Sequence, residues 1–333
     1  MTTNMSKVLM ISIDQSILDE NSKTFARMKE YATLTDELHV LVLEKGAKKQ
    51  QGNLYVYGTS NYVAACSLAK QLHQEKKFDC VTTQDPFLTG SIGRMLKKKY
   101  NVKLNVQLHG DFFSPYFKKE SLKNRFFVHF FHRHLLPYVD SFRVVSERLR
   151  QGLVTWGVPD AKIIVAPIYV DPNFYAVDKI THDGFKILFI GSRVKVKNLP
   201  LLVKAVRELA KQFREVELII KSGGQEDIRP SLAEADCLVL PSFHEGYGRV
   251  IIESFAAGVP VVMSDVGLAG WILKDNINGL VFKVNDLEDL VSKLSSLAAN
   301  PALRGHLAKN AKETLKTLPS KQEILNRIKL SWS

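Results

Sequence analysis

Cysteine, acidic residues and long apolar runs are all scarce in this sequence, and each scarcity excludes something. Only Cys66, Cys80 and Cys237 stand among 333 residues, in apolar or helical contexts and without paired metal-ligand spacing. A disulfide scaffold and a zinc module are thereby excluded, and the three thiols read as small buried hydrophobes in a reducing compartment. No apolar run approaches the roughly 20 residues that span a bilayer, and no signal-peptide pattern opens the chain. Acids are outnumbered, 34 Asp and Glu against 46 Lys and Arg, for a net charge of +12. That excess suits nucleic acid, anionic lipid or a phosphorylated substrate. Zinc-finger spacing, an RNP-like aromatic motif and a basic region with heptads are all missing, so no nucleic-acid partner is expected. Internal repeats and low-complexity tracts are missing too. With 45% hydrophobic residues, the chain reads as soluble, globular and long enough for two domains.

The rest is organised around residues 238–265, LVLPSFHEGYGRVIIESFAAGVPVVMSD. An apolar run, Cys237–Leu240, stops at Pro241, as a buried strand does when the next residue lacks an N–H. A polar loop over 242–248 follows, then a helix over 249–257 closed by Gly258 and Pro260, then a strand over 261–263. In a parallel sheet such a loop opens at the carboxyl ends of the strands, where ligands bind. Gly246 and Gly248 allow close backbone approach, and the amides opening the helix suit a phosphate. Glu245 and Glu253 are eight positions apart, roughly 12 Å if the path is nearly helical. That is wider than the roughly 5–9.5 Å between glycosidase carboxylates. The pair fits two hydroxyl-binding posts for one extended polar ligand such as a sugar nucleotide. A lone pair of glutamates at this spacing would read as a cap and a surface residue; the ordered pattern as a whole favours the ligand.

As a whole the stretch closely resembles the E-x7-E segment of the retaining glycosyltransferases of family 4, glycogen-synthase-like group 1 enzymes. The resemblance runs through most of the chain, strongest over 185–282. It implies an α/β protein of two facing Rossmann-like domains (the GT-B fold). It also implies transfer of a sugar, with retention, from a nucleoside diphosphate to an acceptor hydroxyl on a glycan or lipid-linked molecule. The expected domains are residues 1–170 for the acceptor and 171–318 for the donor, with a helix over 319–333 returning to the first. No acidic pair suggests a metal, so no cofactor or metal is expected beyond the donor substrate. A cytoplasmic location is expected.

In the first half, the strand over 8–13 leads into a loop over 14–22 without a glycine, where relatives carry a glycine-rich loop near the donor phosphates. Ser22 caps a helix carrying Phe25, Met28 and Tyr31, and residues 45–51 read as a basic solvated turn. Asp85, at a strand end, is either a helix cap or an acceptor-binding residue. His109-Gly110-Asp111 follows the strand over 104–108. The resemblance implies that His109 approaches the transferred sugar and that Asp111 orients it or binds acceptor. Residues 124–138, NRFFVHFFHRHLLPY, read as one helix: either a core helix with a cationic edge, or an interfacial helix. The second reading makes an anionic membrane surface a partner, with the protein peripheral at the membrane's inner face. His129, His132 and His134 do not share a helical face, which argues against a metal. Ser146 reads as a helix N-cap, and residues 171–184 as the interdomain linker.

In the second half, the strand over 185–190 ends at Gly191-Ser192, and Arg193 and Lys197 precede a helix start. Two cations there suit a diphosphate. The resemblance implies the same, with Gly191, Ser192, Gly246, Tyr247 and Gly248 as further donor contacts. Lys197 keeps the family's distance from Gly191, whereas Ser192 stands at the family arginine's position and Arg193 one place later. After Ser222-Gly223-Gly224, relatives insert about one further crossover unit before the part matching 224–236. Residues 267–273 read as a short helix beside the site. The shortened half keeps alternatives open: a non-catalytic nucleotide-sugar-binding protein, an epimerase or phosphorylase of this fold, or a basic nucleic-acid-binding protein.

Overall fold

A computed structural model describes residues 6–222 and 227–333. Contacts divide the chain into two compact units, one taking the residues up to Pro167 together with Lys321–Ser333, the other Ile168–Ser320. Residues 223 and 224 of the expected turn after Ser222 lie outside the described residues.

The first unit holds strands β1 (Lys7–Ser12), β2 (Glu37–Val42), β3 (Lys49–Gln51), β4 (Leu54–Gly58), β5 (Cys80–Thr83), β6 (Lys103–Leu108), β7 (Ser141–Val144) and β8 (Ile163–Val165). Its helices are α1 (Lys23–Ala32), α2 (Tyr62–Lys76), α3 (Leu88–Tyr100), α4 (Pro115–Glu120), α5 (Leu122–Phe130) and α6 (Glu147–Thr155). The sheet order is β3-β4-β2-β1-β5-β6-β7-β8. All neighbours run parallel except β3 and β4. Strands buried on both faces, such as KVLMIS in β1, need helices on each side. Ser22 Oγ accepts from Phe25 N at 2.9 Å, starting α1 and delivering Phe25, Met28 and Tyr31 to the core. The second unit holds β9 (Phe185–Ile190), β10 (Val216–Lys221), β11 (Cys237–Leu240), β12 (Val261–Ser264) and β13 (Leu280–Phe282). With them are α7 (Leu199–Leu209), α8 (Arg229–Glu234), α9 (Arg249–Ala256), α10 (Leu287–Ala299) and α11 (Pro301–Leu315). Its parallel sheet runs β10-β9-β11-β12-β13. The last helix, α12 (Lys321–Trp332), buries Ile324, Ile328 and Trp332 in the core of the first unit.

Several expectations are corrected. Residues 49–51 are not wholly a solvated turn: they pair antiparallel with β4 as an edge strand, which its polar composition hides. The aromatic segment is not one helix. α5 gives way to a π-turn, Phe131–Leu135, and a 3₁₀ turn, Leu136–Tyr138. The wider turn carries Phe131 and Leu135 into the core, whereas Phe126 on α5 is 64% exposed, so Phe126, Phe127, Phe130, Phe131 and Leu135 do not share the one apolar face that a single helix would give them. It also brings His129 and His134 within 6.3 Å, ring to ring. Ser146 stands at the N-cap of α6, but its hydroxyl makes no capping bond and finds no partner. Residues 267–273 form turns rather than a helix, because Gly267 and Gly270 have φ of +54° and +78°. The polar linker is pinned to the second unit: Ile180 N donates to Ala233 O at 3.0 Å and Lys179 Nζ to Leu232 O at 2.9 Å. His182 Nε2 lies 2.7 Å from Glu234 O. Among the described residues no helix is long and apolar enough to cross a membrane.

Candidate active site

In the second unit the connections reverse direction between β9 and β11, which lie side by side. Such a switch point splays two loops apart at the strands' carboxyl ends and leaves a crevice. One loop runs from Gly191 to Asn198, which takes φ +50° to start α7. The other runs from Pro241 to Gly248, which takes φ +86° to start α9. They are tied together where Phe243 N donates to Val196 O at 2.9 Å.

That tie brings two of the expected residues into contact. Lys197 Nζ lies 2.5 Å from Glu245 Oε1, and Ser242 Oγ donates to the same oxygen at 2.7 Å. Gly267 closes the floor: a Cβ there would lie 3.0 Å from both Glu245 Cβ and Tyr247 O. Arg193 and Ser192 are exposed on the first loop, and Arg193 has no carboxylate partner among the described residues. Gly191 N is held by Lys221 O at 2.9 Å. Gly246 and Tyr247 are buried, and burial pushes the Tyr247 phenol well above its ordinary value.

Glu253 stands apart from this pair. Its side chain is 2% exposed and accepts from Arg249 Nε at 2.8 Å, one turn back on α9. Tyr175 faces the same carboxylate: burial, then the Glu253 charge and a hydrogen bond to it, pushes the phenol up to about 12. The loop between the glutamates has no helical turn, so the helical path assumed for their separation does not hold. Each motif glutamate therefore has its own cation.

In the first unit, His109 follows β6 and Asp111 lies two residues on. Asp111 Oδ1 accepts from Phe113 N and Ser114 N, each at 3.1 Å. Asp85 is spent on the start of α3, accepting from Phe87 N at 2.7 Å and from Thr89 Oγ1 at 2.7 Å. His109 Nε2 lies 3.2 Å from Gln107 Oε1, to which Arg143 Nη1 donates at 2.9 Å. His109 is exposed as a residue, yet the protein around it still desolvates the imidazole. That desolvation, then the charges of Arg143 and Arg27, holds its pKa below the ordinary imidazole value. Among the described residues no group of three or more His, Cys, Asp or Glu side chains is placed to hold a metal ion.

Sequence reasoning missed Ser242, Gly267, Tyr175, Arg249, Gln107 and Arg143. Two carried a signal. Arg249 is four residues before Glu253 on the expected helix, and Arg143 interrupts an otherwise apolar strand. Tyr175 sits in a stretch that sequence marks only as a linker, and the other three needed the fold.

The geometry agrees with what the chain is similar to. Residues 221–314 match the family described as glycosyl transferases group 1, and residues 35–168 the glycosyl transferase 4-like domain. Between them these matches span more than half of the sequence, in the order of the two sheets. An uncharacterized glycosyltransferase of Methanocaldococcus jannaschii is 23% identical over 306 residues, covering 83% of this chain and 84% of that one. A D-inositol 3-phosphate glycosyltransferase of Nocardiopsis dassonvillei is 35% identical over 217 residues, covering 52% of this chain and 51% of that one. Among solved structures, sucrose-phosphate synthase from Thermosynechococcus elongatus superposes with a TM-score of 0.77 at 15% identity, covering 97% of each chain. Anabaena HepE in complex with UDP-glucose does so with 0.71 at 16%, covering 97% of this chain and 98% of that one. The fold is that of the GT-B glycosyltransferases. The chain belongs to the group 1 glycosyltransferases, with a family-4-like first domain.

Proposed function

We propose that the protein is a retaining, metal-independent glycosyltransferase that moves a sugar from a nucleoside diphosphate to an acceptor hydroxyl. The observation that carries this is the joining of the two switch-point loops through Lys197, Glu245 and Ser242. It sets a cation, a carboxylate and the amides opening α9 around one crevice, with Arg193 free to add a second cation. Those cations stabilise the charge that builds on a leaving diphosphate, the work a metal would otherwise do. Glu245 receives sugar hydroxyls, Glu253 with Tyr175 receives the ribose, and His109 supports the transferring sugar. Gly191, Ser192 and Gly246 to Gly248 contribute backbone contacts. Retention rests on the resemblance to the retaining family-4 enzymes; Glu245, Glu253, Asp85 and Asp111 each accept at least one hydrogen bond from the protein. A sugar nucleotide donor is also in keeping with HepE, solved with UDP-glucose.

The acceptor is a glycan or a lipid-linked molecule, the protein cytoplasmic and peripheral at an anionic membrane face. Leu122 and Phe126 stand 80% and 64% exposed beside Lys118, Lys119, Lys123 and Arg125. An open cleft of about 330 Å³ nearby is lined by Lys118, Arg125, His129, His132 and Trp156.

Product analysis with a panel of nucleotide sugars tests the proposal. Transfer with retained anomeric configuration, without added metal and lost in Glu245→Gln, is expected. Saturable donor binding with no product from any acceptor would favour the non-catalytic reading instead.

A further inference from the structure

Beneath His109 lies a set of polar side chains where a central parallel sheet normally carries aliphatic ones. Thr82 of β5 pairs in register with Asn105 of β6, Asn105 with Ser141 of β7, and Gln107 with Arg143. All five are buried, Arg143 to 3% exposure. The C-terminal helix covers one end, where Ser331 O accepts from Asn105 Nδ2 at 3.1 Å and from Ser141 Oγ at 2.7 Å. From there Thr82 Oγ1 donates to Asn105 Oδ1 at 2.7 Å and accepts from Gln107 Nε2 at 2.9 Å.

Donor and acceptor chemistry then fixes every hydrogen up to His109. A guanidinium only donates, so the Gln107 atom facing Arg143 must be the amide oxygen. That same oxygen lies 3.2 Å from His109 Nε2 and can only accept, so Nε2 must carry a hydrogen. On a neutral ring this leaves Nδ1 bare, and Nδ1 has no protein partner among the described residues although the residue reaches solvent. Arg143 itself is costly. It is a buried cation with no carboxylate in reach among the described residues, its Nε is unpartnered, and its guanidinium lies 5.7 Å from the Tyr31 ring. Packing alone gives no reason to keep a charge there. The charged groups acting on the imidazole are the guanidinium groups of Arg143 from β7 and Arg27 from α1, and both oppose a second proton.

We propose that Arg143 is a positioning residue which, through Gln107, locks His109 as the neutral Nε2–H tautomer and presents Nδ1 as a hydrogen-bond acceptor for a ligand hydroxyl. The consequence for transfer rests on His109 contacting the donor sugar; the tautomer does not.

Selective ¹⁵N imidazole NMR on the full chain tests this, with the His109 signals assigned by their loss in His109→Gln. The expected wild-type spectrum is a neutral ring protonated at Nε2 from pH 8 to pH 6. Arg143→Met should release it to a mixture of tautomers and raise its pKa, each unit of rise being a tenfold increase in the ratio of imidazolium to neutral ring at a given pH. Arg143→Lys, which keeps a charge and a donor, should restore much of the wild-type pattern, and the acid limb of any kcat profile should move with the same series. An Nδ1–H ring or an imidazolium at pH 7 in the wild type would overturn the proposal. So would an Arg143→Met protein that folds, by circular dichroism, with an unchanged His109 spectrum. The expected spectrum in a protein that transfers no sugar would uphold the tautomer and count against the transferase reading alone.

Discussion

Lys197 and Glu245, 48 residues apart, share a contact of 2.5 Å across the two loops at the β9–β11 switch point. The side chains are 24% and 12% exposed, so the pair is partly desolvated and its geometry is held by the loops. Without a ligand, each neutralises the other. Under the proposed function an incoming diphosphate takes the lysine's charge, and the carboxylate is then released toward hydroxyl groups. The contact thus stores the polarity of the site in a closed form.

Gly267 is the position at which this arrangement is most easily broken without touching a charged residue. Its φ of +54° disfavours any side chain, and a Cβ would press on Glu245 Cβ and Tyr247 O at 3.0 Å. Gly267→Ala should cost about 1–3 kcal/mol of stability and displace Glu245. Urea unfolding and steady-state transfer assays check this; full activity at unchanged stability would show that the loop does not depend on that approach.

Acid should weaken the first unit before its carboxylates titrate. Buried His39 and His73 both have pKa values lowered by desolvation, His39 despite its 2.8 Å contact with Glu37. Their folded pKa values lie below the unfolded value of about 6.5, so the unfolded chain binds more protons as pH falls through that value. Stability is therefore present above about pH 6.5 and lost below it, by up to about 1.4 kcal/mol per pH unit for each group. Glu37, held at about 2, acts in a lower window and loses its contribution only as pH falls from the ordinary carboxylate range toward that value. Comparing urea midpoints at pH 7 and pH 5 tests the window. His73→Leu, which removes a ring whose Nδ1 has no partner, should flatten the slope.

Membrane contact, if it occurs through the aromatic segment, should depend on Phe126 and Leu122 and not on Phe131, which is fully buried. Co-sedimentation with anionic vesicles should fall with added salt and when Phe126 becomes serine. Indifference to both would remove the membrane from the account.

What could be read before the fold was known follows a physical division. The β11–loop–α9–β12 unit is local: an apolar run, a proline, glycines and a helix period lie in consecutive residues, so its elements are legible. Ser22 as a cap is legible for the same reason. The edge strand β3 is stabilised by pairing rather than by its own polar residues, and the π-turn at Phe131 shifts side chains without changing composition. The partners of the glutamates divide in the same way. Arg249 was within one helical turn of Glu253, whereas Ser242 on Glu245 and Gln107 under His109 depend on loop and register geometry that no periodicity encodes. Arg143 could have been noticed, since a lone arginine in a buried strand has to be accounted for.

Calorimetric titration of the full chain with a panel of nucleotide sugars tests the central claim most directly, comparing the wild type with Lys197→Met and Glu253→Ala. Saturable binding of at least one nucleotide sugar is predicted, weakened tenfold or more by either substitution. No saturable binding across the panel, or binding that neither substitution changes, would contradict it.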